Sequence, residues 1–320
     1  MFGQPPLSGP QKLAFLLLDR FSLMAFSSAS EPLRIANWLA GKQLYDWTLL
    51  TVDGAPAIAS NNMQAVADAA ISDDDFFPMT VVCTSFSPEK VTTPKVMNWL
   101  RRQERRGSIL GAVDTGAHVL ASAGLLNGYQ ATIHWVHQAA FAESFPEVWL
   151  VPDIYVVDKD RFTSSGGASA MDMMLHLIQA QHGREFAVAV ADQFTYGRIR
   201  EGHAPQRSEL RQRLFTVNRK VLGAVDLMES HLEDPLRPVD IADMLDISLR
   251  ELERSFRKAL HSSPGAYYRM LRLEKARALL QQTDMSIMEV AVASGFSSSA
   301  HFSRAYKDRY GHPPSQDRRV

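Results

Sequence analysis

A sharp bend between a strand pattern and a helix pattern carries the first group that could do chemistry. In the stretch ILGAVDTGAHVLASAGLL, the apolar run 109–113 ends at Asp114 and a helical pattern follows. A strand–turn–helix bend of this kind exposes the side chain at the bend close to a helix N-terminus, which suits a nucleophile. A carboxylate can act as one, with His118 or His134 as the base, so these residues leave an enzymatic function open.

The rest of the sequence argues against catalysis. A lone histidine is more often structural than catalytic, and the chain has no glycine-rich phosphate loop, no serine at a bend and no paired metal-binding motif. The single cysteine, Cys83, excludes internal disulfides and cysteine clusters for metals. Its place in the apolar run TVVCTSF is typical of a small buried hydrophobe. We therefore predict that the protein is not an enzyme and needs no cofactor.

A repeat in the last third of the chain carries a second candidate chemistry, the recognition of DNA. With an offset of 49 or 50 residues, apolar and basic positions recur, so that Leu252 matches Phe302 and Arg254 matches Arg304. Each copy has the pattern of a short helix, a turn and a longer helix, with Asp246 in the first turn. Two copies of one helix–turn–helix unit are therefore predicted.

The longer helix of each copy has one apolar face, predicted to point inward, and one polar face. The outward residues are Arg250, Glu253, Arg254 and Arg257 in the first copy and Ser299, Ala300, Ser303, Arg304 and Lys307 in the second. An α-helix fits the major groove of DNA, where arginine bridges two acceptors on guanine and shorter residues read other base edges. A solvated surface is the alternative for one such helix. The same placement of Arg254 and Arg304 in both copies favours DNA contact.

Apolar runs without polar alternation predict strands covered on both faces in the first part of the chain. The runs lie at 12–19, 47–52, 79–84 and 109–113, separated by helical patterns at 31–40, 93–106 and 115–123, and followed by a strand pair within 148–165 and helices at 168–182 and 185–196. Strands alternating with helices of this length predict an α/β doubly wound domain with a parallel sheet. The pattern after Leu214 is helical throughout, so an all-α double helix–turn–helix domain is expected to follow.

Composition places the domain boundary near residue 205. The stretch 202–213 is polar and contains Gly and Pro, so we predict domains at 12–201 and 214–320 joined by this linker. Residues 1–205 carry 15 Lys and Arg against 20 Asp and Glu, and residues 206–320 carry 19 against 15, which fits a DNA-contacting second domain. The N-terminus lacks the pattern of a secretion signal, and no stretch approaches about 18 apolar residues, so we expect a cytoplasmic protein without membrane contact.

Residues 222–320 resemble the AraC/XylS family of transcription regulators. The stretches DIADMLDISLRELERSFRKALHSSPGAYYRMLRLEKARALL and SIMEVAVASGFSSSAHFSRAYKDRYGHPP carry that family's pattern almost from end to end. One departure is Asp246, where the family usually has glycine. Aspartate tolerates a left-handed backbone better than most residues, so we expect the turn to be kept. The resemblance implies two recognition helices in adjacent major-groove segments, roughly 34 Å apart.

Nearly the whole first domain resembles the flavodoxin-like, PfpI-type fold of the glutamine-amidotransferase class, and its fusion to an AraC-type domain resembles the GlxA group. Hydrolytic relatives carry cysteine at the bend where this chain has Asp114, so the resemblance implies that catalysis is absent. It also implies that Glu31, in SEPLRIAN, lies near the bend. Thr115, His134 and Trp135 are then expected to line the same pocket at the carboxyl ends of the strands.

Two carboxylates beside an aromatic ring suit a cationic nitrogen compound, since Trp135 can stack on an ammonium group. The resemblance to GlxA-type regulators that share the Asp-Thr-Gly bend implies amino acids, betaines or similar amines as ligands. For Glu31 an alternative stays open, namely a carboxylate at a helix N-terminus that the helix dipole stabilises.

The repeat predicts sequence-specific DNA binding. Together with the resemblance it implies a transcription regulator that activates catabolic genes in response to a small nitrogenous inducer. The expected partners are a double-stranded DNA operator, the inducer, RNA polymerase and a second copy of the chain in a homodimer. Two alternatives stay open. One is a cysteine-independent hydrolase or amidase domain fused to a DNA-binding domain, and the other is a DNA-binding protein whose first domain only dimerises.

Overall fold

The computed structural model describes residues 2–206 and 213–318. The chain forms two compact units, residues 1–206 and 207–320, and the division between them falls inside the segment 202–213 that the sequence predicts as a linker. The beginning of this segment belongs to the first unit, because the Ile154 N–H donates to the Gly202 carbonyl and Asp153 forms a β-bridge with Pro205. Residues 207–212 of the predicted linker lie outside the described residues.

A mostly parallel sheet forms the centre of the first unit. In chain order its strands and those of two small flanking sheets are β1 (Gln11–Leu17), β2 (Tyr45–Thr51), β3 (Ala57–Ile58), β4 (Gln64–Ala65), β5 (Ala69–Ala70), β6 (Met79–Thr84), β7 (Ile109–Asp114), β8 (Gln130–Ala131), β9 (Trp149–Leu150), β10 (Tyr155–Asp158) and β11 (Arg161–Ser164). Seven strands pair in the order β10-β11-β7-β6-β1-β2-β5. All neighbours in this sheet are parallel except β10 and β11, the predicted strand pair, which are antiparallel.

Helices cover both faces of this sheet. They are α1 (Leu23–Ala40), α2 (Pro88–Val91), α3 (Pro94–Arg105), α4 (Gly116–Ser122), α5 (Gln138–Ser144), α6 (Ser169–His182) and α7 (Arg184–Asp192). Successive residues of β1 point to opposite faces, so Phe15 joins a core with Leu33 of α1, whereas Leu16 joins a second core with Trp99 of α3. Burial on both faces explains the unbroken apolar runs and confirms the predicted doubly wound fold.

Helix α1 begins at Leu23 and not at residue 31 as the sequence pattern predicts. Ser22 caps it by accepting a hydrogen bond from the Ala25 N–H over 3.2 Å. Glu31 therefore lies inside the helix. Its alternative interpretation as a carboxylate at the helix N-terminus is wrong.

The second unit is helical throughout its described part, apart from turns and loops. Its helices are α8 (Arg219–Ser230), α9 (Pro238–Met244), α10 (Leu249–Leu260), α11 (Pro264–Gln282), α12 (Ile287–Ala293), α13 (Ser299–Tyr310) and α14 (Pro314–Asp317). Helices α9 and α10 form the first predicted helix–turn–helix unit, α12 and α13 form the second, and α11 connects them. Within residues 2–206 and 213–318, no helix is both long and apolar enough to cross a membrane.

Candidate functional site

Asp114 ends strand β7 in a left-handed backbone conformation, with a φ of 60°. Its surroundings are tight. A Cβ atom on Gly166 would lie 2.8 Å from the Asp114 side chain, and one on Gly116 would lie 2.4 Å from the carbonyl oxygen of Val82. Both glycines therefore permit a close approach of backbone segments at the bend. Positive φ at a non-glycine residue is strained, and such strain is often found at functional sites.

The Asp114 carboxyl group is buried, with only 8% of the residue exposed, so the expectation that the bend exposes this side chain is wrong. Ser85 Oγ donates a hydrogen bond to its Oδ2 over 3.1 Å, and the Thr115 hydroxyl donates to the backbone carbonyl of Ser85. Burial raises the pKa of Asp114 to about 7, although hydrogen bonds from Ser85 and from the Thr115 backbone act in the opposite direction. No Lys or Arg in the described part of the chain forms an ion pair with Asp114.

Ser85 and Gly166 are the residues of this site that the sequence analysis missed. Ser85 follows β6 and Gly166 follows β11, and these two strands lie on either side of β7 in the sheet. Because the carboxyl ends of adjacent parallel strands meet at one edge, the strand order points to both residues. That order is a tertiary property, and the Ser85–Asp114 contact joins positions 29 residues apart.

Of three further predicted pocket residues, Thr115 adjoins Asp114 in sequence, whereas His134 and Trp135 follow β8 of a small flanking sheet, and their approach to Asp114 stays a prediction. Thr115 is buried at the bend as the residue before α4. His134 precedes the short 3-10 helix Trp135–His137, and its Nδ1 accepts a hydrogen bond from the Val136 N–H over 3.4 Å. Burial lowers the pKa of His134, so its ring is neutral at neutral pH. The Trp135 ring lies 5.7 Å from the His134 ring and is 42% exposed, so a ligand can reach it from solvent.

Glu31, the predicted second carboxylate of the pocket, forms an ion pair with Arg34 on the same helix. Its Oε2 lies 2.6 Å from the Arg34 Nη2, and the two side chains are 40% and 54% exposed. Water weakens a pair that is exposed to this degree. The described contacts of the Asp114 carboxyl group come from Ser85 and Thr115, so the pairing of Glu31 with Asp114 stays a prediction.

The other side chains considered for catalysis have local structural roles. Burial lowers the pKa of His118 to about 4, and its Nδ1 lies 3.4 Å from the Ser122 hydroxyl. Cys83 is fully buried, and its burial raises the pKa of the thiol, which disfavours the reactive thiolate. The sequence interpretation of Cys83 as a small buried hydrophobe is confirmed. Across residues 2–206 and 213–318, no three or more His, Cys, Asp or Glu side chains are grouped to hold a metal ion.

The recognition helices α10 and α13 present their predicted polar faces to solvent. Ser248 and Ser298 cap them, accepting hydrogen bonds from the N–H groups of Glu251 and His301. The predicted DNA-contacting residues are exposed, except for half-buried Ser303: Arg250, Glu253, Arg254, Arg257, Ser299, Ala300, Arg304 and Lys307. The apolar face of each helix is buried in the core. The exposed residues are therefore free to meet base edges and phosphates.

The turns before these helices share a left-handed residue. Asp246 has a φ of 53°, and Gly295, its counterpart in the second repeat, has a φ of 73°. The expectation that aspartate keeps the first turn is confirmed. The two helix–turn–helix units therefore have the same local geometry, although only one turn contains glycine.

The comparisons with known proteins agree with this architecture. The DJ-1/PfpI family model matches residues 11–180, and a helix-turn-helix domain model matches residues 241–319. Together they define a helix–turn–helix transcription regulator whose first domain has the DJ-1/PfpI fold. The chain is 44% identical over 317 residues to the HTH-type transcriptional regulator GbdR of Pseudomonas aeruginosa, covering 99% of this chain and 86% of that protein. It is 37% identical over 312 residues to the HTH-type transcriptional regulator GlxA of Rhizobium meliloti, covering 97% and 96%. The chain belongs to the GlxA-type transcription regulators of the AraC family.

Solved structures support the same assignment. An AraC family transcriptional regulator from Pseudomonas putida is 27% identical with a TM-score of 0.52, covering 58% of this chain and all 100% of that chain. DJ-1beta of Drosophila melanogaster is 22% identical with a TM-score of 0.50, a likeness that shows the fold alone. The full-length relatives are named as regulators, which supports a regulatory and not an enzymatic function.

Proposed function

We propose that this regulator binds a small nitrogenous metabolite, an amino acid or a betaine-like amine, beside Asp114 and then activates catabolic genes. In this proposal the ligand lies at the carboxyl ends of β6, β7 and β11, where doubly wound sheets hold ligands. Thr115, His134 and Trp135 are its further contacts, and Glu31 supplies a second carboxylate.

The observation that carries this proposal is the buried Asp114 carboxyl group without a basic partner in the described part of the chain. Burying an ionised carboxylate without a counter-charge is costly. A cationic ligand supplies that charge and favours the ionised form. Trp135, which is 42% exposed, offers an aromatic face to the ammonium group of such a ligand.

The proposed DNA partner is a double-stranded operator read by α10 and α13. Arg254 and Arg304 hold matching positions on the two helices and are exposed, which suits contact with guanine. We assign the other basic residues of both faces to phosphate contacts. The remaining residues of these faces are assigned to other base edges. RNA polymerase is the further partner that activation requires, and we infer a homodimer that acts in the cytoplasm, where the operator is found.

We infer that Gln206, the last described residue before the connection to the second unit, links the segment next to the predicted pocket residue His134 to that connection. The side-chain nitrogen of Gln206 lies 2.9 Å from the Thr132 hydroxyl, 3.0 Å from the Ile133 carbonyl and 2.7 Å from the Asp153 carbonyl. Ile133 adjoins His134. A ligand that displaces the segment at 134–135 therefore also displaces the anchor of Gln206, and through it the start of the connection to the DNA-binding unit.

Thermal unfolding of the full chain tests the proposal, with trimethylglycine, choline and arginine as probes and acetate as the anionic control. We expect a probe with a cationic nitrogen to raise the melting temperature of the parent and to shift Asp114→Asn much less. Glu31→Gln tests the predicted second carboxylate, and a shift equal to that of the parent would remove Glu31 from the pocket. Stabilisation by acetate alone would contradict the charge argument. Turnover of amides that disappears in Asp114→Asn would favour a fused hydrolase instead.

A further inference from the structure

One face of helix α11 contacts the loop that precedes the first helix–turn–helix unit. Tyr268, Arg272 and Lys275 are spaced four and three residues apart, so their side chains emerge on the same side of the helix. The Tyr268 hydroxyl donates to the carbonyl of His231, and the Lys275 ammonium lies 3.9 Å from the Glu233 carboxylate. Both contacts hold the loop that precedes α9.

Arg272, on the same face, holds the turn of the second helix–turn–helix unit. Its Nε donates to the Ser294 carbonyl over 2.9 Å, and its Nη2 donates to the Gly295 carbonyl over 2.6 Å. The centre of its guanidinium group lies 4.2 Å from the centre of the Phe296 ring. Helix α12 ends here, so the guanidinium group satisfies carbonyls close to those that a helix leaves unpaired at its C-terminus.

Gly295 brings this turn into close contact with loop 231–235, which precedes α9. A Cβ atom at this position would lie 2.6 Å from the Leu232 carbonyl oxygen and 2.8 Å from that of Glu233. Loop 231–235, the α11 face and residues 294–296 thus meet at one place, which we call the junction. The loop that leads into the first helix–turn–helix unit and the turn of the second unit therefore approach each other closely, in addition to the connection through α11.

We propose that Arg272 is a positioning residue for DNA binding, because it fixes the angle between recognition helices α10 and α13 and hence the spacing at which two DNA segments are read. A fixed angle lets the second helix enter the groove without a further loss of orientational freedom. Arg277 also links α11 to α14 through an ion pair with Asp317, but this contact does not involve loop 231–235 or the turn at 294–296. Of the three α11 residues at the junction, Arg272 is the one that holds the turn of the second helix–turn–helix unit.

The experiment compares the full-length parent and Arg272→Met on a duplex that the parent selects from random-sequence DNA. A second set of duplexes has one or two base pairs inserted or removed between the two contacted segments. Each base pair moves one segment by about 3.4 Å and rotates it by about 35°. We expect the parent to lose about 10-fold in affinity or more when the spacing changes. Arg272→Met should bind the selected duplex about 10-fold more weakly and vary by less than about 3-fold over the series.

Two further variants separate positioning from charge and from folding. Arg269→Met removes the same charge from a neighbouring exposed position. It should weaken binding by the same factor at every spacing, so that its spacing profile, the dependence of affinity on the spacing of the two segments, matches that of the parent. Arg272→Lys keeps the charge but not the two-pronged contact, and its profile should lie between those of the parent and Arg272→Met. If Arg272→Met does not fold, the profile of Arg272→Lys decides. A profile like the parent's in the Arg272 variants, or an equal loss at all spacings, would overturn the proposal.

Discussion

Asp114 in the first unit and Asp246 in the second have nearly the same left-handed backbone, with φ values of 60° and 53°, but very different surroundings. Asp114 is 8% exposed and accepts a hydrogen bond from Ser85, whereas Asp246 faces solvent. The second repeat has Gly295 where the first has Asp246, so a glycine suits that turn. At Asp114 the same backbone holds a buried carboxyl group, which glycine lacks. Backbone conformation alone therefore does not distinguish the two aspartates, whereas the burial of the side chain does.

The largest expected effect distinguishes the two aspartates by pH. The pKa of Asp114 in the folded protein is about 7, above its ordinary value of 3.8, so the folded state binds this proton more tightly than the unfolded chain. The stability that this proton confers is complete below about pH 4 and is lost as the pH rises through about 7. We expect Asp114→Asn to raise the free energy of unfolding by up to about 4 kcal/mol at pH 8 and to change it little at pH 4.

Denaturant unfolding of the first unit at both pH values measures this difference. Asp246→Asn is the matched control, because its side chain faces solvent. The control should leave unfolding of the first unit unchanged at both pH values. If Asp114→Asn is equally stabilised or destabilised at pH 4 and pH 8, burial does not distinguish Asp114 in the way described.

The second prediction contrasts the two turns. Gly295→Ala places a Cβ atom 2.6 Å from a backbone carbonyl oxygen at a φ of 73°, so we expect a loss of about 3 kcal/mol in the stability of the second unit. Asp246→Ala shortens a side chain that faces solvent and adds no atom to the turn, so it should cost about 1 kcal/mol in the stability of the second unit. Thermal and denaturant unfolding give both values. Similar losses in the two variants would show that the second turn is not packed more tightly than the first.

The third prediction concerns the helices that follow the turns. Arg254→Ala and Arg304→Ala should each cost about 1–3 kcal/mol in specific DNA binding, because both side chains are exposed at matching positions. Fluorescence anisotropy on the selected duplex at fixed salt measures the loss, and duplexes with single base changes locate the position whose preference is relaxed. If both variants bind as tightly as the parent, these faces do not read DNA.

The smallest expected effect is that of Asp246→Gly, which gives the first turn the residue found in the second. Relief of the left-handed conformation favours the variant, while the greater freedom of glycine in the unfolded chain opposes it. We expect a net stabilisation of at most about 1 kcal/mol with unchanged DNA affinity. A clear destabilisation would mean that the aspartate side chain contributes to the turn.

Strand β6 and helix α1 show how far the fold can be predicted from the sequence. The run 79–84 predicts the bounds that the structure has for β6, because burial on both faces leaves no charged residue inside the strand. The first half of helix α1 contains several small residues, among them Ala25 and Ala29, which are fully buried but give a weak apolar period. Their burial depends on how closely the helix approaches its neighbours, which is set by tertiary packing and not by local pattern.

The candidate pocket likewise has one part that the sequence predicts and one part that depends on tertiary structure. Asp114 could be predicted because a strand, a turn and a helix adjoin it in sequence. The Ser85 contact could not, since it requires the order of strands in the sheet. The pairing of Glu31 with Arg34 has the i,i+3 spacing of a helix and follows from the predicted helix at 31–40, whereas the start of α1 at Leu23 does not follow from that pattern.

The missing side chain at Gly166 also restricts the order in which this pocket can change over generations. A Cβ atom there would lie 2.8–2.9 Å from the Cα, Cβ and Cγ of residue 114, and its own φ is 89°. The Cα and Cβ are shared by every residue type except glycine, so exchanging Asp114 for another side chain does not make space for a substitution at Gly166. Inherited changes in ligand preference can therefore begin at position 114 while position 166 stays glycine, but the reverse order passes through a disrupted bend.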